Sequence, residues 1–96
     1  MKIDDYVLDV LMRDLAGHDR APSADLLYLH LWSKTVGRRV KTARLSHQAI
    51  AYATGLSKSA VQVGIRRLLR RDLVRIHRAS ATAVPEYRIV RPWLNR

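Results

Sequence analysis

Residues 53–71 read ATGLSKSAVQVGIRRLLRR, and this stretch decides how the chain folds. Gly55 is typical of a helix C-terminus, because glycine enters the left-handed backbone region without a steric penalty. Ser57 is a suitable N-cap, since its hydroxyl can accept a hydrogen bond from an unpaired amide of a new helix. The stretch therefore predicts one helix that stops at Gly55 and a second helix from Lys58 to about Arg71.

The second of these helices has two different faces. At about 100° per residue, Val61, Ile65 and Leu68 form a narrow apolar stripe with Gly64 beside it. The opposite face is mostly polar and basic, with Ser59, Val63, Arg66 and Arg70, flanked by Gln62 and Arg67. We expect the apolar stripe to be buried and the cationic face to project away from the core.

Two helices are predicted ahead of this pair. The first runs from Ile3 to Ala16 and is ended by Gly17; its apolar positions are Ile3, Val7, Val10, Leu11 and Leu15. The second runs from Ala24 to about Thr35, with Ser23 as its N-cap, and Gly37 closes it. Between them and the central pair, residues 38–45 have extended character, with Val40, Thr42 and Leu45 as members of a short strand. Ser46 then caps the helix that stops at Gly55.

Two alternating segments follow the basic helix. LVRIHR (residues 73–78) and EYRIV (residues 86–90) are joined by the small-residue loop ASATAVP, and this pattern predicts a β-hairpin. Pro92 and Trp93 end the fold, and we expect Trp93 to pack back onto it. The predicted class is a mainly helical α+β protein, a single domain over residues 1–96.

Charge is divided unevenly along the chain. The net charge is +10, but residues 1–37 hold four basic and six acidic residues, whereas residues 38–96 hold fourteen basic and two acidic residues. A strongly basic half predicts a polyanionic partner, with nucleic acid as the first candidate. No apolar run is long enough to span a bilayer, and the basic half lacks the aromatic-rich face of an interfacial helix. We therefore expect no membrane partner and a cytoplasmic location.

The order helix, glycine turn, helix, hairpin resembles the winged helix-turn-helix domains of bacterial transcriptional regulators. The resemblance lies in SHQAIAYATGLSKSAVQVGIRRLLRRDLVRIHR and PEYRIV, and it covers roughly residues 40–92. The motif has a small residue four positions before the turn glycine (Ala51), an apolar residue directly after it (Leu56) and a β-branched residue six after it (Val61). The resemblance implies supporting helices in residues 1–37, a helix-turn-helix in residues 46–71 and a wing in residues 73–91.

An exposed helix of this kind fits the major groove of DNA, with its N-terminal residues nearest the base edges. The predicted base-reading residues are Lys58, Ser59, Gln62, Val63 and Arg66. Residues nearer the helix end, on the hairpin and ahead of the motif are expected to contact phosphates. This predicted phosphate-contacting set is Arg44, Ser46, Arg67, Arg70, Arg71, Arg75, His77 and Arg78.

The sequence offers little for catalysis or ligand binding. No set of titratable residues converges in the pattern of an enzyme site, so we expect the protein not to be an enzyme. There are no cysteines, the four histidines are scattered, and no glycine-rich phosphate loop is present, so no metal or cofactor is expected. Four helices and a hairpin leave no room for an effector domain, and no small-molecule effector is expected.

The function that follows is sequence-specific binding of double-stranded DNA by a small transcriptional regulator, acting as a repressor-type homodimer. Two other roles remain open at this point. One is a replication or plasmid-maintenance accessory protein, which would contact DNA in the same way. The other is a winged-helix interaction module whose basic face docks an acidic protein. RNA binding is disfavoured because aromatic residues that could stack on bases are scarce, with six Tyr and Trp and no Phe.

Overall fold

The computed structural model describes residues 1–94, and it begins with an N-terminal helix built from Val7–Leu11 and Arg13–His18. This helix has π-type winding, in which each amide bonds the carbonyl five residues back, as Asp19 N does with Asp14 O at 2.8 Å. Its buried residues are Val7, Leu11 and Leu15. The predicted end at Gly17 is wrong, because the helix continues through Gly17 to His18. Gly17 does not have the positive φ of a terminating glycine; that conformation occurs at Arg20, with φ 52°, where the chain reverses.

Helix α1 (Pro22–Lys34) is the most buried element and forms the centre of the fold. The predicted Ser23 cap is wrong: Ala21 precedes the helix and Pro22 occupies its first turn. Proline suits this place because it has no amide to leave unpaired. Two buried aromatic side chains of α1 also donate hydrogen bonds to backbone carbonyls far away in the chain. The Tyr28 hydroxyl donates to the Val90 carbonyl at 3.0 Å, and Trp32 Nε1 donates to the Lys2 carbonyl at 2.9 Å.

Helices α2 (His47–Thr54) and α3 (Lys58–Arg70) meet through the predicted turn. Ser46 Oγ accepts from Ala49 N at 3.0 Å, and Ser57 Oγ accepts from Ala60 N at 3.1 Å, so both predicted caps are confirmed. Gly55 lies in the left-handed region with φ 75°, as predicted, and its amide bonds the Ala51 carbonyl. The local chemistry of these few residues is sufficient to specify the turn.

The sheet has three antiparallel strands in the order β1-β3-β2: β1 (Ala43–Arg44), β2 (Val74–His77) and β3 (Glu86–Ile89). The β2–β3 hairpin is confirmed, with pairs running from Val74↔Ile89 to His77↔Glu86. The strand predicted around residues 40–45 is limited to Ala43–Arg44, so the predicted members Val40, Thr42 and Leu45 all lie outside it. A turn at Arg39, with φ 58°, and a bond from Val40 N to Thr35 O hold this segment near the end of α1 instead. The Leu45 amide still bonds the Pro85 carbonyl beside the sheet.

The core is one continuous apolar cluster. Helix α1 lies at its middle, with the N-terminal helix, α3 and the inner face of the sheet around it. A short 3-10 turn (Pro92–Leu94) follows the sheet, and Trp93 packs back as expected, stacked on Tyr6 with ring centroids 4.6 Å apart. Four helices with this three-stranded sheet form a small α+β domain that is consistent with a winged helix. No helix within residues 1–94 is long and apolar enough to cross a membrane.

Helix α3 packs closely on α1 at Gly64. A Cβ on Gly64 would overlap the δ-methyl group of the fully buried Leu27 and would stand 3.4 Å from the Ala24 backbone. Because protein cores are close-packed, a shift of the Leu27 side chain would disturb its neighbours. A hydrogen at Gly64 is therefore what allows α3 to lie directly on α1.

We expect Gly64→Ala to lower the free energy of unfolding by about 1–2 kcal/mol, because the strain of overpacking exceeds the helix-propensity gain of alanine. Gly17→Ala is the matched control, since Gly17 is also helical but has no atom within 4 Å of an added Cβ. That variant should gain about 0.5–1 kcal/mol. Urea unfolding of both variants measures the difference, and equal changes would contradict the close approach.

Candidate nucleic-acid interface

Helix α3 presents one buried and one exposed side, as its sequence predicts. Val61, Gly64, Ile65 and Leu68 are buried against the core. The exposed residues are Lys58, Ser59, Gln62, Val63, Arg66, Leu69 and Arg70. At 100° per residue these seven cover an arc of about 140°. The five predicted base-reading residues thus share one accessible face, and their role in reading bases stays a prediction.

Two further arginines of the predicted phosphate set, both near the end of α3, lie at the margin of this face. Arg67 is half-buried, and Arg71 directly follows the helix. The Arg71 guanidinium lies 3.1 Å from the carboxylate of Asp19 and 3.8 Å from that of Asp14. This ion pair joins the end of α3 to the N-terminal helix, and a DNA phosphate would have to compete with it. The Arg71 contact spans more than fifty residues, and no local pattern signals it.

A groove of about 690 Å³ runs between α3 and β2. Its lining is His47, Gln62, Ile65, Arg66, Leu69, Ile76 and Arg78. No carboxylate lines this groove. Its polar side chains are the Gln62 amide, the His47 imidazole and the guanidinium groups of Arg66 and Arg78. Such a lining suits an anion, because a phosphate oxygen can accept hydrogen bonds from guanidinium and amide donors together.

His47 is the residue of this groove that sequence reasoning missed. Partial burial lowers its pKa, and the nearby charges of Arg78 and Lys58 lower it further. The first turn of α2, the start of α3 and the chain after β2 therefore meet in one electropositive cluster: Lys58, His47 and Arg78. The sequence signal was weak, since His47 follows a serine cap and has no charged neighbour in the chain.

The other predicted phosphate residues lie away from this groove. Arg75 and His77 are exposed on the outer face of the hairpin. Arg44 Nε lies 3.4 Å from Glu86 Oε2, so this arginine has an acidic partner within the sheet. The Ser46 hydroxyl serves the cap of α2. Of the predicted residues outside α3, only Arg78 is part of the groove beside it.

Within the described residues 1–94, no three histidine, cysteine or acidic side chains come close enough together to hold a metal ion. Comparison of the chain with protein-family models, with curated proteins and with solved structures found no match. The proposals below consequently rest on the geometry and charge of this chain.

The lowered pKa of His47 predicts a pH-dependent stability. Because the folded state disfavours the charged imidazole, the unfolded state binds more protons, and stability falls as pH drops through the ordinary histidine pKa of about 6.5. We expect His47→Gln to lose less stability than wild type between neutral and mildly acidic pH. Residual dependence should remain from His30, whose pKa is lowered by burial and by Lys34.

Urea unfolding at the two pH values measures this effect. An unchanged pH dependence in His47→Gln would contradict the burial of the imidazole near Arg78 and Lys58.

Proposed function

We propose that this chain is a winged helix-turn-helix protein that binds double-stranded DNA with α3 in the major groove, as a small transcriptional regulator of bacterial type. The observation that supports it best is the division of α3 into an apolar side packed on α1 and an uncovered cationic side. An α-helix fits the major groove, and exposed side chains on its first turns meet the base edges. Such a protein acts in the cytoplasm, where bacterial DNA lies.

The residue types on the exposed face match the chemistry of base edges. Gln62 can bond an adenine with both amide atoms, Arg66 can bond a guanine with two donors, and Val63 can contact a thymine methyl group. Lys58 and Ser59 stand at the entering end of the helix. In this arrangement the groove beside α3 receives the sugar–phosphate backbone, with Arg78 and His47 as donors.

A salt-titrated binding assay with genomic DNA fragments tests the proposal. Phosphate contacts release counterions, so affinity should fall steeply as salt rises, and a preferred fragment should emerge from competition. If no DNA bound even at low salt, docking of the basic face to an acidic protein would be the better account. A replication or plasmid-maintenance role would give the same binding result, and the identity of the preferred fragment would distinguish it.

Residues that read bases and residues that contact phosphates should respond differently to mutation. We expect Gln62→Ala and Arg66→Ala each to cost about 1–3 kcal/mol on the preferred site and to relax discrimination between sites. Arg70→Ala should weaken binding to all sequences alike and reduce the salt slope by roughly one. Fluorescence anisotropy across several salt concentrations separates the two behaviours.

Arg71→Ala is the comparison variant within the same helix end. Because Arg71 forms ion pairs with Asp14 and Asp19, its loss should also reduce stability, by up to about 1 kcal/mol for a partly exposed ion pair. Unchanged affinity and site preference in Gln62→Ala and Arg66→Ala would contradict the placement of α3 in the groove.

We further propose that the protein acts as a homodimer. One domain offers few phosphate contacts, and a two-fold pair doubles them on a palindromic site. The N-terminal helix is the candidate interface, because Leu8 and Met12 are 45% and 44% exposed on neighbouring turns. Tyr6, which also widens the apolar surface of this helix, is used within the chain by its stacking on Trp93.

Light scattering at tens of micromolar should give a dimer mass, and Leu8→Gln with Met12→Gln should give a monomer. Leu26→Gln is the control, since Leu26 is an equally exposed leucine on α1. A monomer mass for the wild type would refute the pairing, and a dimer that resists the double substitution would refute only the choice of interface.

A further inference from the structure

A second cationic surface lies at the side of the sheet, apart from the α3 groove. A groove of about 480 Å³ there is lined by Val36, Arg39, Val40, Lys41, Arg88, Ile89 and Arg91. Four of these seven residues are cationic and none is acidic. We call this surface, together with Arg75 on the adjoining strand, the outer cationic surface.

The groove exists because β1 covers only part of β3. Strand β1 pairs with Glu86 and Tyr87 and stops there. The chain ahead of it, which turns at Arg39, runs beside Arg88 and Ile89 without pairing with them. The positive φ of Arg39 is uncommon for a residue with a Cβ. The backbone thus holds Arg39 and Lys41 opposite Arg88 across an open groove.

The charge of this surface is largely uncompensated. Within the part of the chain that the structure describes, Arg39, Lys41, Arg75 and Arg88 are exposed and have no carboxylate within 4 Å. Arg91 alone has an acidic partner, Asp4 at 3.4 Å, and its guanidinium also lies 5.6 Å from the centre of the Trp32 ring.

Arg75 and Arg88 are direct cross-strand partners in the hairpin. Like charges directly opposite each other destabilise a sheet. No carboxylate within residues 1–94 lies within 4 Å of either guanidinium, and a bound polyanion would reduce the repulsion between them.

The outer cationic surface is separated from the α3 groove in two respects. Ile76, from the inner face of the sheet, lines the groove beside α3, while Arg88 lies on the outer face. The α3 groove includes Arg78, where β2 enters the wing loop, while the second groove includes Arg91, beyond the opposite end of β3. The two grooves therefore share no lining residue and extend toward opposite ends of the hairpin.

We propose that the outer cationic surface binds the phosphates of a second DNA segment, so that one chain bridges two duplexes. The inference rests on the proposed function of α3. Phosphate contacts need only uncompensated cations along a groove, and they carry no sequence information. Once α3 has bound a DNA molecule, other segments of that DNA are the polyanion present at the highest concentration near the protein. The groove lacks the aromatic side chains that would anchor it in a membrane interface.

A bead-bridging assay tests the proposal. One short duplex is fixed to beads, a second labelled duplex is added, and capture of the label requires a protein that holds both. We expect Lys41→Ala with Arg88→Ala to reduce capture by about tenfold, while affinity for a single limiting duplex stays within about twofold of wild type. Arg13→Ala with Arg20→Asn removes the same charge from the N-terminal region and should leave capture unchanged; asparagine suits the positive φ of Arg20.

Each outcome has one interpretation. Equal losses of capture and single-duplex affinity would place both surfaces on one duplex and overturn the proposal. If the Lys41→Ala with Arg88→Ala variant captured the second duplex as well as wild type does, bridging would be due to the two α3 helices of a dimer. That result would also overturn the proposal. Wild-type protein that binds one duplex but captures none would refute bridging alone, whereas failure to bind any duplex would refute the proposed function.

A stability measurement on Arg88→Thr gives an independent readout. Threonine removes the repulsion with Arg75 and suits a strand, so the melting temperature of the DNA-free variant should rise at low salt. Capture should fall in the same variant. A lower melting temperature would show that Arg88 has a structural role and would contradict the uncompensated repulsion on which the proposal depends.

Discussion

The direct contact of α3 with α1 at Gly64 is the constraint on which the rest of the structure depends. Because residue 64 has no side chain, the α3 backbone packs against Leu27 and the Ala24 backbone, and the apolar side of α3 lies against the centre of the core. Its other side is then left without any protein layer above it. The turn at Gly55 and the cap at Ser57 set where α3 begins, but the contact with α1 sets which residues remain outside.

The acidic half of the chain has a role that its composition alone does not reveal. Asp14 and Asp19 pair with Arg71, and Asp4 contacts both Arg91 and the Trp93 indole. These carboxylates neutralise arginines at the edges of the basic half and tie them to the N-terminal segment. The exposed basic residues of the α3 face, and Arg39, Lys41, Arg75 and Arg88 of the outer cationic surface, have no such partner within residues 1–94, so positive charge is concentrated at those two places.

Sequence reasoning succeeded where a structural feature depends on neighbouring residues. The serine caps of α2 and α3, the glycine turn and the buried stripe of α3 follow from side-chain chemistry within a few positions, and the hairpin follows from alternation. It failed where distant residues decide the outcome. Nothing near Gly17 or Ser23 shows that the chain reverses at Arg20, and nothing near Val40 shows that Thr35 holds its amide. The partners of Arg71 and the surroundings of His47 are likewise set by packing.

The hydrogen bond between the Asp4 carboxylate and the Trp93 indole, 3.1 Å long, has a consequence for the order of folding. It joins residues 89 positions apart, and the bond from Tyr28 to the Val90 carbonyl spans 62 positions. During synthesis, α1 is available before the groups that satisfy and cover it, because Val90 and Trp93 lie more than fifty residues after it. Helices and the turn at Gly55 depend on local contacts, which form without the distant ones. The contacts that complete the core require β3 and Trp93, so we expect them to form after the local ones.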